Sequence, residues 1–365
     1  MEFLTATCRI GFDTPLGRVD AFPFEPVACH PPIKEAAIQQ GLHPFMEFSS
    51  DPQLYKKKYV PGILKPGSKV LVSRFGGIGD VLWITPVCRG LKEQIPGLHI
   101  KFMCFSKDRE AMYNNPFVDE VITSNRPTVD DCMSVDAVLD FYETVEGCQE
   151  ANYLHPIDYS CKLAGVNPSS RLPVWIINDM EKEWVDTFLA TEGAKPGEEL
   201  IGFAIGASSP HRTWVYWDEL ATLILATYPN AKIVLTGNMQ HAFDGMQKVM
   251  EKHKDSKRVI NAFGGTTLRQ LVALLARCSL TVSCDTGMVH ALGGLLKPVL
   301  GIFSTVPAVS RVSLYPTVHA IQADVPCAPC FKIGEPCEYG DRCMTTLSAG
   351  KVFQRFREVC DGLKS

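Results

Sequence analysis

The sequence predicts an α/β protein made of two doubly wound, Rossmann-like halves. The first observation is that short apolar segments, of the kind that form buried parallel strands, alternate with segments of helical periodicity. This alternation runs from residue 69 to about residue 140 and starts again at residue 200. The second observation is length, because 365 residues exceed what one hydrophobic core usually supports. No short repeat is visible, which excludes a solenoid.

The predicted elements follow one another regularly in both halves. In the first half we expect a helix at 81–94 and strands at 69–73, 98–105, 118–122 and 137–140. In the second half we expect strands at 200–205, 232–236, 259–261, 280–283 and 298–303, with helices at 217–227, 242–253, 268–276 and 288–296. Because strand and helix alternate, the strands of each half should be parallel.

The flanking segments differ from the two halves. Residues 1–65 are rich in proline and have no sustained period, so they are predicted to form an extended or hairpin-containing N-terminal arm. The link between the halves falls at 177–197. The predicted domains are therefore the arm at 1–65, a first half at 66–180, a second half at 181–348, and a C-terminal helix at 349–365 that is expected to return to the first half.

Composition excludes several classes of function. The chain has 36 Lys and Arg against 40 Asp and Glu, well mixed, which argues against nucleic acid as the main partner. No run approaches the roughly 18 apolar residues of a membrane span, and no secretory signal is recognisable. A cytoplasmic location is therefore predicted. Single cysteines in apolar or mixed segments, such as Cys88, Cys104, Cys278 and Cys284, are expected to be buried thiols.

A glycine-rich turn follows the first strand of the first half. Gly76, Gly77 and Gly79 allow the backbone to turn sharply and to approach a ligand closely. Asp80 ends this turn, and its carboxylate would repel a pyrophosphate, so the loop is predicted to serve an acceptor or a proton. Two readings of Asp80 stay open here, a helix cap and a general base.

The second half has polar loops at three strand ends, which is where α/β proteins bind ligands. After the strand at 200–205, Ser208, Ser209 and Arg212 are predicted to bind phosphates, and the alternative is a surface loop. Met239 lies in the loop after the strand at 232–236 and is a candidate for the nucleoside pocket.

The third strand-end loop enters a helix. Asp285 or Thr286 is predicted to cap this helix, and Gly287 permits close approach of a phosphate to the backbone. His290 lies one turn further on and is read as a ligand residue. The alternative is a buried structural histidine.

Four cysteines lie close together near the C-terminus. Cys327, Cys330, Cys337 and Cys343 have the spacing C-x2-C-x6-C-x5-C. Thiolates at this spacing suit one tetrahedral zinc or iron ion, so a structural metal is predicted. Two disulfides and unliganded thiols are the competing readings.

Three segments in this order resemble glycosyltransferase family 9, the bacterial heptosyltransferases: RFGGIGDVLWITPV, GASSPHRTW and SCDTGMVHALGGLLKPVLGIF. The resemblance covers about residues 68–360. It implies a GT-B fold, in which two Rossmann-like domains face each other across a cleft. It also implies inverting transfer of a heptose from ADP-heptose to a lipopolysaccharide-core-like glycan, with no catalytic metal.

The resemblance also implies residue roles. Asp80 is placed as the catalytic base, and Ser208 and Arg212 hold the donor phosphates, with Arg212 standing where the family often has lysine. Asp285, Thr286, Gly287 and His290 form the diphosphate-binding turn. The adenine-side acidic position of the family falls near Met239, a departure that leaves the donor's base and sugar open. Many family members carry a comparable cysteine-rich segment, in some cases holding iron or zinc.

The predicted partners are a nucleotide sugar and a glycan or lipid-linked acceptor, with peripheral contact to the inner face of the cytoplasmic membrane and oligomerisation left open. The arm at 1–65 has no counterpart in the typical lipopolysaccharide enzymes, so a protein acceptor, another glycan or another donor is an alternative. A catalytically silent sugar-nucleotide-binding or assembly protein is a second one. The joint presence of Asp80, Arg212 and the Asp285 turn argues against the silent alternative.

Overall fold

The structure is a computed structural model that describes residues 1–141, 154–195, 197–237, 242–331 and 337–364. The described chain divides into two compact units, Met1–Gly147 with Ile157–Ser170 and Cys148–Pro156 with Arg171–Ser365. The division thus lies near residue 170 rather than at 180. The reason is helix α5 (Asp179–Thr191), because its buried Val185 and Leu189 pack with Leu274 of the second unit.

The N-terminal segment is more ordered than an extended arm. Its elements are strands β1 (Glu2–Ala6), β2 (Ile10–Thr14), β3 (Gly17–Ala21) and β4 (Val27–Cys29), helix α1 (Pro31–Gln39) and strand β5 (Met46–Ser49). The β2–β3 pair is the expected hairpin, and β1 pairs antiparallel with β4 and β5. Leu4, Phe12 and Met46 are buried in a core of its own. Strands this short carry little periodicity, and Pro31 is tolerated because it stands in the first helical turn.

This N-terminal segment packs on the first unit of its own chain. Leu54 is buried in one cluster with Leu71 and Met103. The Thr7 hydroxyl donates to the Pro127 carbonyl at 2.6 Å. Segment and first half therefore form one unit.

The first half is a parallel sheet. Its elements are β6 (Lys69–Ser73), α2 (Ile78–Gln94), β7 (His99–Cys104), β8 (Glu120–Thr123), α3 (Val129–Met133), β9 (Ala137–Asp140) and α4 (Pro156–Ala164). The strand order is β8-β7-β6-β9, and all pairings are parallel. Chain order therefore reverses between β6 and β9.

The second half is also a parallel sheet. Besides α5 it contains β10 (Glu199–Ile205), α6 (Trp217–Thr227), β11 (Ala231–Gly237), α7 (Phe243–Lys252), β12 (Val259–Asn261), α8 (Leu268–Leu275), β13 (Leu280–Cys284), α9 (Gly287–Gly294), β14 (Val299–Phe303), α10 (Val309–Val312), β15 (Val318–Gln322), α11 (Arg342–Thr345) and α12 (Ala349–Lys364). The strand order is β12-β11-β10-β13-β14-β15. Chain order reverses between β10 and β13, as in a doubly wound dinucleotide-binding sheet.

The C-terminal helix belongs to the second unit. Val352 and Phe356 of α12 are fully buried in the same cluster as Trp217 and Leu220 of α6. The prediction that this helix returns to the first half is therefore wrong. Its apolar face is matched by the apolar face of α6, which the sequence pattern could not indicate.

The single cysteines behave as predicted. Cys88, Cys104, Cys278 and Cys284 are buried and free. Burial raises the thiol pKa to about 12 for the first three and to about 11 for Cys284. Among the described residues, no helix has the length and the hydropathy needed to cross a bilayer.

Candidate active site

In the first sheet, chain order reverses between β6 and β9, and hydrogen bonds connect the end of β6 with the end of β9. The Ser73 hydroxyl donates to the Asp140 carboxylate at 2.7 Å. One guanidinium nitrogen of Arg74, Nη1, donates to the Phe141 carbonyl at 2.9 Å. These bonds fix the start of the glycine-rich turn. In an open parallel sheet, ligands bind outside the carboxyl ends of the strands at such a point.

Asp80 lies in the first turn of α2, which begins after Gly77. Its Oδ2 accepts the Gly77 N–H at 2.8 Å, so the carboxylate caps the helix from the third helical position. Its Oδ1 accepts from Arg74 Nη2 at 2.5 Å. The Arg74 side chain is 1 % exposed and that of Asp80 is 23 % exposed. Asp80 therefore caps the helix and stays accessible, so the two readings of this residue are compatible.

The glycines of this turn make room for the carboxylate. Gly76 has φ +147°, and a Cβ there would lie 2.7 Å from Asp80 Oδ2. Gly77 precedes the first helical residue, and Gly79 lies within the first helical turn. A side chain at position 76 would displace the Asp80 carboxylate.

A second carboxyl group belongs to this region and was missed in the sequence. Asp108 lies in the short turn after β7, at the same edge of the sheet, and is 2 % exposed. Its Oδ2 has no hydrogen-bond partner within the described chain. Burial raises the Asp108 pKa to about 6, Lys107 opposes this shift, and the nearby Asp80 charge adds to it. Only its position after a neighbouring strand could have drawn attention to Asp108.

The second reversal point joins the loop after β10 to the turn after β13. Arg212 Nη1 donates to the Asp285 carbonyl at 3.1 Å and lies 3.7 Å from Asp285 Oδ2. Arg212 Nη2 donates to the Ser208 hydroxyl at 2.5 Å. Ser209 is buried and accepts the Arg212 N–H through its carbonyl at 3.1 Å. The structure thus brings Ser208, Ser209, Arg212 and Asp285 together.

Helix α9 starts at this same place. Thr286 is the N-cap, and its hydroxyl accepts the Met288 N–H at 3.3 Å. Gly287 is the first helical residue, and both Thr286 and Gly287 are half-buried. The helix start therefore carries a neutral cap beside the Arg212 guanidinium. Backbone N–H groups at a helix start and an adjacent cation form an arrangement that favours a phosphate.

His290 lies inside α9 and is 3 % exposed. Its Nδ1 is 3.1 Å from the Tyr315 hydroxyl. Burial is the main cause that lowers the His290 pKa well below its ordinary value, and the charges of His155, Arg311 and Arg212 add to it. The imidazole is therefore neutral at pH 7, and it belongs to a residue one turn after the start of α9. Met239 lies outside the described residues.

Four free thiols lie in the cysteine-rich segment. Cys343 is buried on α11, and its pKa is raised by burial and by the thiols of Cys327, Cys337 and Cys330 as well as by the Asp341 carboxylate. All four cysteines are free rather than paired in disulfides. Among the described residues, however, the group whose donor atoms lie within 4.8 Å of one another contains only Cys337 of these four, so the thiols are not arranged as a formed tetrahedral site.

A histidine that the sequence reading left without a role lies at the same place. His211 Nδ1 is 2.5 Å from Asp341 Oδ1. Donor atoms of His211, Cys337 and Asp341 lie within 4.8 Å of one another. His211 directly precedes Arg212 in the chain.

Residues 177–339 match the sequence model of glycosyltransferase family 9 (heptosyltransferase). No curated protein matches the sequence of the chain.

Solved structures match most of the chain at low sequence identity. A family 9 glycosyl transferase from Veillonella parvula is 18 % identical with a TM-score of 0.66, over 80 % of this chain and 97 % of that one. The ADP-heptose lipopolysaccharide heptosyltransferase II of E. coli is 16 % identical with a TM-score of 0.63, over 81 % of this chain and 100 % of that one. These matches confirm the predicted GT-B fold.

A third similar structure covers more of the chain. It is the dodecameric iron-containing heptosyltransferase TibC in complex with ADP-D-β-D-heptose, 11 % identical with a TM-score of 0.61. The match spans 99 % of this chain and 91 % of that one, so it includes the N-terminal segment. TibC comes from enterotoxigenic E. coli.

Proposed function

We propose that this chain, a glycosyltransferase that carries a family 9 domain over residues 177–339, transfers a heptose with inversion from ADP-heptose to a glycan acceptor of the lipopolysaccharide-core type. The observation that carries the proposal is the combination of Arg212 with the start of α9 at the reversal point of the second sheet. A cation beside free helical N–H groups suits a nucleoside diphosphate leaving group.

The second unit holds the donor. Arg212 and the N–H groups at Thr286 and Gly287 bind the diphosphate, and Ser208 orients the Arg212 guanidinium. As the bond from the anomeric carbon to the phosphate oxygen breaks, negative charge grows on ADP. Donors that are already fixed in place stabilise this charge without reorganisation, which is the largest contribution that such a site makes.

The first unit supplies the base. Asp80 takes the proton from the acceptor hydroxyl while that hydroxyl attacks the anomeric carbon. Arg74, anchored to the Phe141 carbonyl, holds one oxygen of the carboxylate, and the Gly77 N–H holds the other. This orientation leaves the remaining lone pairs of the partly exposed Asp80 carboxylate for the acceptor hydroxyl.

The donor class is tested by a thermal-shift panel of nucleotides and nucleotide sugars. ADP and ADP-heptose are expected to raise the melting temperature, because a ligand that binds only the folded state stabilises it. UDP and GDP species should have little effect. A stronger shift with UDP or GDP would overturn the choice of ADP-heptose.

An acceptor other than the lipopolysaccharide core is a second candidate, and one observation favours it. The match to TibC spans 99 % of this chain, whereas the match to heptosyltransferase II spans 81 %. The match to TibC includes the N-terminal segment, which has its own core and belongs to the acceptor-side unit. Mass spectrometry of core oligosaccharides and of proteins incubated with enzyme and donor distinguishes the two acceptor classes by where the heptose appears.

The cysteine cluster has a separate proposed role. Cys327, Cys330, Cys337 and Cys343 are proposed to hold one structural zinc or iron ion, which would stabilise this segment and supply no step of the transfer. Metal analysis of anaerobically purified protein should find about one equivalent. Mere traces of both metals would reject this role.

A further inference from the structure

Direct contacts join the loop after β6 to the short helical turn after β7. The Arg74 backbone N–H donates to the Met103 carbonyl at 3.0 Å. The Phe75 and Phe105 rings pack with their centroids 5.1 Å apart. The Asp108 N–H in turn donates to the Phe105 carbonyl at 3.0 Å. Asp108 is therefore held beside the loop that leads into α2.

The Asp108 carboxyl group is buried without a hydrogen bond to its Oδ2 from any described residue. The nearby Arg74 guanidinium does not serve it, because its two terminal nitrogens donate to Asp80 and to the Phe141 carbonyl. A buried carboxylate without hydrogen bonds destabilises the folded state. Such groups concentrate at functional sites, where their charge is used.

Charges at this edge of the sheet act on Asp108 in both directions. Helix α2 and strand β8 pack against the turn 106–112 that carries it. Burial is the main cause that raises the Asp108 pKa to about 6, the exposed Lys107 opposes this shift, and the Asp80 charge adds to it. The Cys104 thiol stays neutral, because burial and the Asp108 charge raise its pKa to about 12. Since an electrostatic interaction is mutual, an ionised Asp108 also disfavours the negative charge on Asp80.

The other charged side chains on these elements have partners elsewhere. Their partners are the Tyr113 ring for Arg109, the Ser170 carbonyl for Arg89, Asp119 for Lys92, Ser169 for Glu93 and Lys101 for Glu120. Glu110, on the same turn as Asp108, is half-buried and has a partner of its own. Asp80 and Lys107 are therefore the side-chain charges that act on Asp108.

We propose that Asp108 is a positioning residue that strengthens Asp80 as the general base through its negative charge. The inference rests on the proposed function, because it requires Asp80 to be the base. In the transfer, the acceptor oxygen bonds to the anomeric carbon and its proton goes to Asp80. The bond from that carbon to the phosphate oxygen breaks, and its electron pair leaves with ADP.

The charge balance around the base explains the effect. Before the transfer, the carboxylates of Asp80 and Asp108 face one buried guanidinium, that of Arg74. Once Asp80 holds the proton, one negative charge and one positive charge remain. An ionised Asp108 therefore favours the arrival of the proton on Asp80. Asp108 does not take the proton itself, because it is buried, whereas the Asp80 side chain is partly exposed and can release the proton to water.

The test compares single-turnover heptose transfer from ADP-heptose to a heptose-free core oligosaccharide by wild type and Asp108→Asn, from pH 5 to 7.5. At pH 7.5 the variant should be about tenfold slower, since loss of a nearby negative charge lowers the proton affinity of the base by about that factor. At pH 5 most of the wild-type Asp108 is protonated and as neutral as asparagine. The ratio of the two rates should therefore shrink to about twofold. ADP affinity, measured by calorimetry, should be equal in both proteins.

Two further variants separate charge from packing. Asp108→Ser carries a smaller neutral residue and should reproduce the pH-dependent ratio of Asp108→Asn. Glu120→Gln is the matched control, because it also removes one negative charge from this sheet. Glu120 is the first residue of β8, at the opposite end of the strands, and it pairs with Lys101 at 3.4 Å. This control should transfer heptose like the wild type at every pH.

A rate ratio that stays the same from pH 5 to 7.5 would assign Asp108 a purely structural role and overturn the inference. Equal rates of wild type and Asp108→Asn at pH 7.5 would also overturn it. Absence of transfer by the wild type at every pH would overturn the proposed function and the inference with it. That outcome is distinct from the other two because it appears without any variant.

Discussion

The reversal points of the two parallel sheets have the same architecture and opposite chemistry. In both, an arginine after the first strand donates to a carbonyl at the end of the strand across the reversal, Arg74 to Phe141 and Arg212 to Asp285. In both, a helix start forms the other wall of the site, α2 in the first sheet and α9 in the second. The local fold alone therefore does not decide which ligand each point takes.

Each arginine has a carboxylate nearby, Asp80 at 2.5 Å from Arg74 and Asp285 at 3.7 Å from Arg212, so the difference is the group that caps the helix start. In the first sheet Asp80 accepts the N–H of Gly77, the residue before α2, and pairs with the fully buried Arg74. In the second sheet the neutral Thr286 caps α9, and Arg212 keeps 16 % of its side chain exposed. An acidic cap thus gives the first site a group that can accept a proton, whereas a neutral cap leaves the N–H groups of α9 to an anion.

The largest effect is expected from Asp80→Asn. Loss of the general base should lower kcat about 10²- to 10⁴-fold, while ADP affinity stays unchanged. Steady-state kinetics and calorimetry measure the two quantities. Asp130→Asn is the matched control, because Asp130 is also an acid in the first turn of a helix of this unit. Near-normal turnover by Asp80→Asn would remove Asp80 from its role.

Arg212→Gln should weaken the binding of ADP at the reversal point of the second sheet. Loss of charge-assisted bonds to the diphosphate is worth about 1.5–3 kcal/mol, which corresponds to an ADP dissociation constant roughly 10- to 100-fold higher. Arg212→Lys should recover part of the affinity because it keeps the charge. As a control, Arg277→Gln removes an exposed arginine that pairs with Asp186, and it should leave ADP binding unchanged. Wild-type affinity in Arg212→Gln would contradict the proposed donor site.

The variant Asp108→Asn tests the burial of the Asp108 carboxyl group through the pH dependence of the free energy of unfolding. The folded pKa of Asp108, about 6, is raised above the ordinary 3.8, so the folded state holds the proton more tightly. The resulting stabilisation is present below about pH 4 and is lost as the pH rises through 6, and it amounts to roughly 3 kcal/mol. Asp108→Asn should remove this dependence. Thermal unfolding of both proteins from pH 4 to 7 measures this dependence. The same change of melting temperature with pH in wild type and variant would contradict the burial of the Asp108 carboxyl group.

Thr286→Asp places a carboxylate at the start of α9, as Asp80 does at the start of α2. Aspartate is as good an N-cap as threonine, so α9 should stay intact. The new carboxylate should repel the diphosphate and raise the ADP dissociation constant about tenfold. Thr286→Ser keeps a neutral hydroxyl cap and should bind ADP like the wild type. Unchanged binding by Thr286→Asp, measured by calorimetry, would mean that the phosphates do not approach this helix start.

Some elements were predictable because the signal is local. Strand β9 and helix α6 have the predicted bounds, since each is an apolar pattern bounded by polar or turn residues. Strand β15 was missed because most of its residues are half-buried at a sheet edge. Strands β1, β4 and β5 were missed because they are short and stand in a proline-rich segment without a sustained period.

For the candidate site, too, only features that are local in the sequence could be predicted. Asp80 and Arg212 were identifiable because each lies a few residues after the end of a strand, and position relative to a strand end is readable from sequence. Asp341 was not, because its partner His211 lies 130 residues away. Such a contact depends on how the cysteine-rich segment folds back on the loop after β10, which no spacing rule specifies.

Amide hydrogen exchange on addition of ADP tests the contrast between the two helix starts most directly, because it reports the backbone N–H groups in question. Exchange is expected to slow at residues 206–214 and 285–290, with no primary protection at 76–82. Protection centred on residues 76–82, with none at 285–290, would contradict it.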